Sequence, residues 1–279
     1  MAPLLELDRL TVTVPGAPGG GDGSAAPQPV VRAVSFTIGS GEMVGLVGES
    51  GAGKTLTAYA ILRLLPPGVR IAGGRVLLEG SDLAALSEEG MRRVRGRRIA
   101  MVFQEPMTAL NPAFTVGAQV AEAIRAHHRL GRSAARAEVL RLLDRVGFAG
   151  AGRRLDAYAH ELSGGQRQRV VIAMALACGP ALLLADEPTT ALDVTVQAQI
   201  LDLLRSLREE LGLAVLLVTH DLAVVSQTCD RALVMYRGRL VEEGPVGELF
   251  SRPEHPHTRA LLEAAAPVSG SRKAAGAAG

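Results

Sequence analysis

The sequence predicts an α/β protein: a core with a mainly parallel sheet, an N-terminal antiparallel β subdomain and an inserted α-helical subdomain. Three observations support this fold class. An apolar run at 43–47 leads into a glycine-rich loop and a helical pattern, strand-like and helical patterns alternate in the second half of the chain, and helical periodicity extends over 115–158. With 279 residues, 48% of them hydrophobic, the chain can bury a sizeable core.

The N-terminal part alternates apolar and polar residues, as half-buried strands do. Positions 5–14 predict one strand and positions 34–38 a second, which together begin the antiparallel subdomain. Between them, the stretch from Pro15 to Pro29 is rich in Gly, Pro and Ala. We expect this stretch to be a flexible connection.

The third predicted strand, 43–47, runs into the spacing Gly-x-x-x-x-Gly-Lys-Thr, and a helical pattern follows over 56–65. Strand, loop and helix therefore come in the order of a phosphate-binding loop. Glycines let backbone N–H groups approach phosphate oxygens at the positive end of the helix. Lysine occurs only at positions 54 and 273 in this arginine-rich chain. The predicted loop consists of Gly48, Glu49, Ser50, Gly51, Ala52, Gly53, Lys54 and Thr55. We expect Lys54 to reach the β- and γ-phosphates and Thr55 to ligate Mg²⁺.

The rest of the chain returns to the α/β pattern after a helical stretch. Positions 73–80 and 99–103 predict short strands, the second of which stops at Gln104. The helical stretch 115–158 is broken at Gly131 and Gly147. Strand-like runs follow at 181–185 and 213–218, with helical patterns between them, and a short helix is expected at 246–250.

Two adjacent carboxylates, Asp186 and Glu187, follow the apolar run 182–185. This position is the C-terminal end of a buried strand, where ligands bind in open α/β sheets. We expect Asp186 to hold the Mg²⁺ shell and Glu187 to face the attacking water, as general base or as the group that orients it. The alternative is a carboxylate pair that caps the next helix.

A second anion-binding helix end is predicted before the helical run 167–177. A serine and two glycines at a helix N-terminus offer a hydroxyl and free N–H groups to an anion. Because the chain already has a phosphate-binding loop, we expect this second end to serve a nucleotide held by another subunit. Its residues are Ser163, Gly164, Gly165 and Gln166, which follow Leu162.

Together with Gln104, Ala191-Leu192-Asp193 and His220, these motifs resemble the ordered motif set of ABC-type ATPases, over about residues 4–265. The resemblance implies a P-loop NTPase core that hydrolyses ATP with Mg²⁺. It also implies that Gln104 senses Mg²⁺ and water beside a docking surface for membrane subunits, that Asp193 crosses a dimer interface, and that His220 contacts the γ-phosphate. For His220, the alternative is a helix-entry histidine beside Asp221.

Three stretches, 104–112, 193–200 and 255–262, are similar to the dipeptide, oligopeptide and nickel importer ATPases. The similarity implies uptake of peptides or of nickel and metal chelates, with two membrane-spanning permease subunits and a second ATP-binding subunit, either a copy or a sister chain. An extracytoplasmic solute-binding protein would act through the complex, and the chain would lie at the cytoplasmic face of the membrane. The alternatives are a non-transport ABC ATPase and an exporter cassette. His255 and His257 are a metal pair or, as we expect, docking or packing residues.

The family usually has an aromatic residue near Val14 that stacks on adenine, and this chain has none there.

We expect an ATPase domain over 4–250 with its helical insertion at about 108–165, an importer-type segment over 251–268 and a disordered tail over 269–279. The sequence also excludes GTP-binding switch proteins and gives no support to nucleic-acid binding. With lysine only at 54 and 273, an Asn-Lys-x-Asp guanine reader is impossible. The net charge of +2 gives no general basis for nucleic-acid binding, and we expect the arginine run 92–98 to be solvated.

Overall fold

The computed structural model describes residues 2–16, 26–104, 109–190 and 192–265. The strands in these ranges are β1 (Leu5–Val14), β2 (Gln28–Ile38), β3 (Met43–Val47), β4 (Arg70–Leu78), β5 (Ser81–Asp82), β6 (Ile99–Val102), β7 (Leu182–Asp186), β8 (Ala214–Val218), β9 (Arg231–Tyr236) and β10 (Arg239–Pro245). The helices are α1 (Lys54–Ile61), α2 (Glu88–Val94), α3 (Val116–Arg125), α4 (Arg132–Arg145), α5 (Ala151–Arg154), α6 (Gly164–Leu176), α7 (Val194–Leu211), α8 (Leu222–Thr228), α9 (Val246–Ser251) and α10 (Pro256–Ala265).

The first sheet is antiparallel and has the strand order β2-β1-β4-β5. Buried apolar residues lie opposite one another on three of its strands: Leu7 of β1 pairs with Phe36 of β2 and with Val76 of β4. This sheet is the predicted N-terminal subdomain. Strand β2 begins earlier than the sequence indicated, because Gln28 and Pro29 already pair with the end of β1. The predicted flexible connection therefore ends before Gln28, and its residues 17–25 lie outside the described part of the chain.

The second sheet has the order β10-β9-β3-β8-β7-β6, and every pair is parallel except β10 with β9. Strands β3, β7 and β8 are buried along their whole length. Burial on both faces explains why these strands read as continuous apolar runs without alternation. The fold class predicted from the sequence is confirmed.

The parallel strands bring four chain segments to one edge of the sheet. The loop 48–53 follows β3, Thr219 and His220 follow β8, Glu187 follows β7, and Gln104 comes two residues after β6. Parallel strands have their carboxyl ends on the same side, so these segments meet although they are far apart in sequence. The fold thus gathers most of the predicted site residues.

The helical insertion packs as a unit beside the parallel sheet. Val116, Val120 and Ile124 of α3 are buried in the same apolar cluster as residues of α4, α6 and β7. Gly131 is the N-cap of α4, and Gly147 has a φ of +66° after its C-terminus. The two predicted breaks therefore mark the ends of α4.

Some boundaries differ from the sequence prediction. Helix α1 ends at Ile61, not at residue 65, because Arg63 has a positive φ of +53° that a helix cannot include. The hairpin of β9 and β10 was not predicted. Cys178 and Cys229 are free thiols, and each lies just beyond the C-terminal end of a helix. The predicted tail 269–279 lies outside the described residues.

Among the helices of the described ranges, none combines the length and the apolar character needed to cross a membrane.

Candidate nucleotide site

The phosphate-binding loop is held against the neighbouring strand β9. Gly48 has a φ of +149°, and a Cβ atom at this position would lie 2.2 Å from the carbonyl oxygen of Met235. Any side chain would therefore push the loop away from β9. Gly51 and Gly53 also have positive φ values, which let the backbone turn into α1. The glycine positions of the motif are thus explained by close approach and by backbone conformation.

Lys54 is enclosed by its own loop. Its side-chain Nζ donates to the carbonyl oxygens of Gly48, at 2.7 Å, and Glu49, at 3.0 Å, and the residue is only 6% exposed. Burial lowers the pKa of Lys54, while the carboxylates of Glu187 and Asp186 act in the opposite direction. The ammonium therefore lies at the loop beside two negative charges.

Thr55 and Asp186 form the pair expected of a divalent-cation site. The Thr55 hydroxyl donates to Asp186 Oδ1 at 3.2 Å. Asp186 is fully buried, and its Oδ2 has no hydrogen-bond partner among the described residues. Burial raises the pKa of Asp186 to about 6, with Glu187 adding to the effect and Thr55 and Lys54 opposing it. A buried carboxylate oxygen without a partner beside a hydroxyl oxygen fits a hard cation such as Mg²⁺.

Glu187 is fixed by three side chains. Its Oε1 lies 3.0 Å from His220 Nδ1, and its Oε2 accepts hydrogen bonds from Thr190 at 2.8 Å and from the Gln104 amide at 3.4 Å. Burial favours a raised pKa for Glu187, but the contacts with His220 and Thr190 and the charge of Lys54 outweigh it and hold the pKa below its ordinary value. Glu187 is therefore a carboxylate at neutral pH.

The backbone of Glu187 is also constrained. Its N–H donates to the Val218 carbonyl of β8 at 2.8 Å, and its φ is +45°. Positive φ is uncommon outside glycine and often accompanies functional positions. The side chain thus leaves the end of β7 in a direction that a regular strand could not give.

The cleft in front of the loop has a volume of about 430 Å³, within the range of small-ligand pockets. The cleft combines the glycines and hydroxyls of the loop with the ammonium of Lys54 and the carboxylate of Glu187. Its apolar surface comes from Val30 and Leu56, and no aromatic side chain is among its described lining residues. The lining is Val30, Ser50, Gly51, Gly53, Lys54, Thr55, Leu56, Gln104 and Glu187.

Gln104 and His220 both reach Glu187, and neither is hydrogen-bonded to Asp186 in the described structure. The His220 side chain is 62% exposed and therefore has one ring edge available to a ligand. Asp221 is the N-cap of α8, so His220 does stand at a helix entry, which was the alternative explanation for this histidine. Its ring nevertheless contacts Glu187 and takes no part in the cap.

The second predicted anion site lies elsewhere on the molecule. Ser163 caps α6: its hydroxyl accepts from Gln166 N, and its own N–H donates to Gln166 Oε1. Gly165 has no room for a side chain, because a Cβ would lie 2.6 Å from Val196 of α7. None of the residues 163–166 lines the cleft of this chain.

Asp193 begins α7 beside this end of α6. Its carboxylate accepts from Val196 N at 2.9 Å, so it is the N-cap of the helix. Val194, the next residue, is 83% exposed. Two helix N-termini and an exposed apolar side chain therefore occur together on this surface; Ala191, which belongs to the same motif, lies outside the described residues.

Sequence reasoning missed three contributors to the site: Thr190, Val30 and Leu56, the last of which follows the loop in α1 and lines the cleft. Thr190 donates to Glu187, but a threonine three residues after a carboxylate carries no distinctive signal. Val30 lines the cleft because β2 passes beside the loop, a placement that depends on tertiary structure. The segment with His255 and His257 makes packing contacts: His257 stacks on Tyr236, and His255 Nδ1 accepts from His257 N.

Known proteins resemble this chain in both sequence and fold. The family model described as ABC transporter matches residues 31–190. A probable peptide ABC transporter ATP-binding protein of Sinorhizobium fredii is 57% identical over 230 residues, which are 82% of this chain and 69% of the relative. A putative peptide import ATP-binding protein of Brucella abortus is 51% identical over 263 residues, 94% of this chain and 77% of the relative.

Two solved structures have the same fold. The ATP-binding cassette MJ0796, in a dimeric post-hydrolysis state bound to ADP and Pi, has a TM-score of 0.74 and 29% identity and covers 87% of this chain and 98% of its own. CbiO1 of Clostridium perfringens, part of the transporter complex cbiONQ, has a TM-score of 0.75 and 27% identity, with coverage of 90% and 92%. With its phosphate loop, buried Asp186 and ionised Glu187 gathered at one sheet edge, this chain belongs to the ABC transporter family of ATP-binding proteins, and it binds and hydrolyses ATP.

Proposed function

We propose that this chain is the ATP-hydrolysing subunit of a membrane importer that takes up peptides. The observation that carries the proposal is the Glu187 carboxylate, held at the mouth of the phosphate-loop cleft by His220, Thr190 and Gln104. The names of its relatives in Sinorhizobium and Brucella favour peptides over nickel or metal chelates, the other solutes that the sequence allowed.

The loop residues 48–55 would bind the triphosphate of ATP. Backbone N–H groups at the start of α1 meet the phosphate oxygens, and Lys54 exchanges its bonds to Gly48 and Glu49 for bonds to the β- and γ-phosphates. Because these carbonyls already hold the ammonium at the loop, little rearrangement is needed. The adenine ring would lie against the apolar surface of Val30 and Leu56.

Mg²⁺ would be held by the Thr55 hydroxyl and the Asp186 carboxylate, with Gln104 at the edge of the shell. When bound, it would neutralise charge on the phosphate oxygens. The partnerless Asp186 Oδ2 supports this assignment. In the described structure the Gln104 amide contacts Glu187, so a metal contact would require this side chain to turn.

Glu187 would act on the attacking water. As a carboxylate it accepts the proton of the water as the water oxygen bonds to the γ-phosphorus, and the bond from that phosphorus to the bridging oxygen of ADP breaks. Thr190 and His220 fix the carboxylate, and the exposed edge of His220 would contact the γ-phosphate. ADP and phosphate are the products.

A second ATP-binding subunit, a copy or a sister chain, would complete each site. The helix end formed by Ser163, Gly164, Gly165 and Gln166 would bind the nucleotide held by the partner, and Asp193 would cross the interface. The exposed position of this surface, away from the chain's own cleft, supports the proposal. MJ0796, which has the same fold, is dimeric.

The membrane-spanning permease subunits would dock where the core meets the helical insertion. An apolar cavity of about 320 Å³ opens there, with Phe103, the residue before Gln104, and with Ala109 and Met174 in its lining. The chain would then lie at the cytoplasmic face of the membrane, and the extracytoplasmic solute-binding protein would act through the permease. We assign 4–250 to the ATPase domain, with the insertion at about 108–165, and 251–268 to an importer-type segment.

The proposal is tested by reconstituting the chain with its permease subunits and solute-binding protein in vesicles. We expect a peptide, and not a nickel chelate, to stimulate ATP hydrolysis and to accumulate inside, and we expect Glu187→Gln to abolish both effects. Ala109→Trp, which fills the docking cavity, should reduce uptake more than it reduces the hydrolysis of the isolated subunit. Stimulation by a metal chelate alone would reject peptides as the solute, and equal losses for Ala109→Trp would reject the docking site. Charge reversal of Glu105 is expected to act like Ala109→Trp, although Glu105 lies outside the described residues.

A further inference from the structure

A cavity of about 340 Å³ lies within the helical insertion, apart from the nucleotide cleft. It is bounded by α3, by the first half of α4 and by residues 155–156, which follow α5. The apolar part of its lining includes the buried residues Ala121, Val139 and Leu155. In the described chain, none of its lining residues also lines the nucleotide cleft or the docking cavity. The cavity therefore has no role in the function proposed above.

Three exposed arginines, here called the cavity arginines, line this cavity. Arg125 is the last residue of α3, and Arg132 and Arg136 lie one turn apart at the start of α4. Asp156 supplies the single carboxylate of the described lining. The lining thus carries three positive charges and one negative charge, an excess that favours an anionic ligand.

Within the part of the chain that the structure describes, the cavity arginines take part in no hydrogen bond or ion pair. Two later arginines of α4 differ from them: Arg141 pairs with Glu138, and Arg145 pairs with Glu210 at 2.9 Å. The guanidinium donors at the cavity therefore remain available. A guanidinium binds a carboxylate through two parallel hydrogen bonds, so carboxylates are the anions that fit these donors best.

Two exposed aromatic side chains lie beside the cavity. Thr115, one of the lining residues, pairs with Tyr158 in an antiparallel bridge, and Phe114 precedes Thr115 in the chain. Phe114 is 52% exposed and Tyr158 is 38% exposed. Arginine and aromatic side chains are the residues that most often dominate binding between proteins. This surface therefore has the composition of a binding site for another protein.

The turn that carries Phe114 is fixed by a buried side chain. Gln119 is only 5% exposed. Its amide donates to the carbonyl oxygens of Asn111, at 3.1 Å, and of Phe114, at 2.9 Å, and its Oε1 accepts from Asn111 N at 2.8 Å. Three hydrogen bonds from one side chain hold the backbone of the turn, while the Phe114 ring remains in solvent. Such preorganisation lowers the cost of binding a partner.

We propose that the cavity arginines, Phe114 and Tyr158 form a docking surface for an acidic segment of a partner protein. Carboxylates of the segment bind the arginines, an apolar side chain enters the cavity, and the two aromatic rings cover the adjoining peptide. A lipid surface or a nucleic acid fits less well, because the arginines line a cavity with apolar walls instead of a broad basic face. This partner is additional to those proposed above, and its binding requires neither nucleotide nor Mg²⁺.

The test measures the fluorescence anisotropy of a labelled peptide of alternating glutamate and leucine residues, mixed with the full-length protein without nucleotide. We expect this peptide to bind and the same peptide with lysine in place of glutamate not to bind. Arg132→Glu combined with Arg136→Glu should weaken binding roughly tenfold, because two attractive pairs become repulsive. Phe114→Ala should weaken it roughly threefold through the loss of an aromatic contact. The matched control, Arg239→Glu with Arg252→Glu, makes the same change in net charge on the core and should bind like the wild type.

ATP hydrolysis by each variant, which should stay at the wild-type level, shows that the fold is intact. Failure of the glutamate peptide to bind, or equal binding by the wild type and the double reversal in α4, would overturn the proposal. An equal loss in the control would indicate a general attraction of charge and would overturn it as well. Vesicles of phosphatidylglycerol and a single-stranded RNA are measured in parallel. Tighter binding of either than of the peptide, lost in the double reversal, would assign the surface to a membrane or a nucleic acid instead.

Discussion

At the scale of single residues, the site depends on groups that are held in place before any ligand arrives. Lys54 donates to two carbonyls of its own loop, and Glu187 is fixed by a histidine, a threonine and an amide. Such preorganised charges stabilise a transition state without the cost of reorganising at the moment of reaction. The two adjacent carboxylates have pKa values shifted in opposite directions. Burial raises the pKa of Asp186 to about 6, whereas local contacts lower the pKa of Glu187.

Lys54→Ala should reduce ATP hydrolysis roughly 100- to 1,000-fold, the size of effect expected for one lost electrostatic contact to a developing charge. Lys54→Arg is the matched variant: it keeps the charge, but a planar guanidinium cannot replace a compact ammonium between the two loop carbonyls, so it should also lose most activity. Steady-state hydrolysis is the measurement, with circular dichroism to show that the fold persists. Turnover near the wild-type level in Lys54→Ala would remove this residue from the mechanism.

The cleft has apolar but no aromatic side chains in its described lining, which affects base recognition. Without stacking, phosphate contacts dominate binding, and these are the same for all purine triphosphates. We expect kcat/KM for ATP and GTP to differ by less than about threefold. A strong preference for ATP in this comparison would mean that another side chain reads the base.

At the scale of elements, the sequence predicted those parts whose signal is local. The phosphate loop has a fixed spacing, the buried strands β7 and β8 are short apolar runs, and Gly131 and Gly147 mark the ends of α4. The hairpin of β9 and β10 was missed although its turn at Arg237 and Gly238 follows an apolar run. Strand β10 lies at the edge of the sheet, and its polar and apolar residues do not alternate regularly. It can be recognised as a strand only by its pairing with β9.

The attachment of α10 includes hydrogen bonds to the Glu242 carboxylate and should be sensitive to acid. Burial favours a raised pKa for Glu242, but the backbone N–H groups of Glu254 and His255, which donate to its carboxylate at 2.8 and 3.0 Å, outweigh it and lower the pKa below the ordinary 4.5. Because its pKa is lower in the folded protein, ionised Glu242 stabilises the fold at pH values above its ordinary pKa of 4.5. This stabilisation is lost as the pH falls below 4.5 and through the lowered pKa.

Glu242→Gln should therefore loosen α10 at pH 7, because a neutral amide accepts these hydrogen bonds more weakly, by about 1–2 kcal/mol. Hydrogen exchange of the α10 amides measures the effect: protection should fall in the variant at pH 7, and the difference between the two proteins should shrink as the pH falls below 4.5 and through the lowered pKa of Glu242. Glu243→Gln, on the same strand, is the control and should not change exchange in α10. Equal protection in wild type and Glu242→Gln at pH 7 would contradict the attachment.

At the scale of the whole molecule, the site is a product of strand topology. The loop after β3, Glu187 after β7, His220 after β8 and Gln104 after β6 meet because these strands are parallel. This convergence could be predicted from the sequence, since each motif follows a strand-like run. The side-chain contacts within the site could not be predicted. Gln104 and His220 both reach Glu187, and this depends on side-chain geometry that the spacing of motifs in the sequence does not determine.

The same topology leaves the helix end 163–166 outside the cleft, next to the exposed Val194 at the start of α7. An anion-binding helix end that the chain's own loop does not need can bind a nucleotide held by a second subunit. If the γ-phosphate joins two subunits in this way, closure needs an intact triphosphate and hydrolysis releases it, as in a ligand-biased two-state system.

Glu187→Gln should therefore accumulate as a nucleotide-bound dimer, because glutamine keeps the size of the side chain but cannot take the proton from water. Adding Ser163→Arg should prevent this dimer, since the bulky cation occupies the helix end where the partner's phosphates would lie. The measurement is size-exclusion chromatography with ATP in the absence of Mg²⁺, for the chain alone and mixed with a sister ATP-binding subunit. A dimer only in the mixture would identify a heterodimer, and monomers in both samples would refute closure around shared nucleotides.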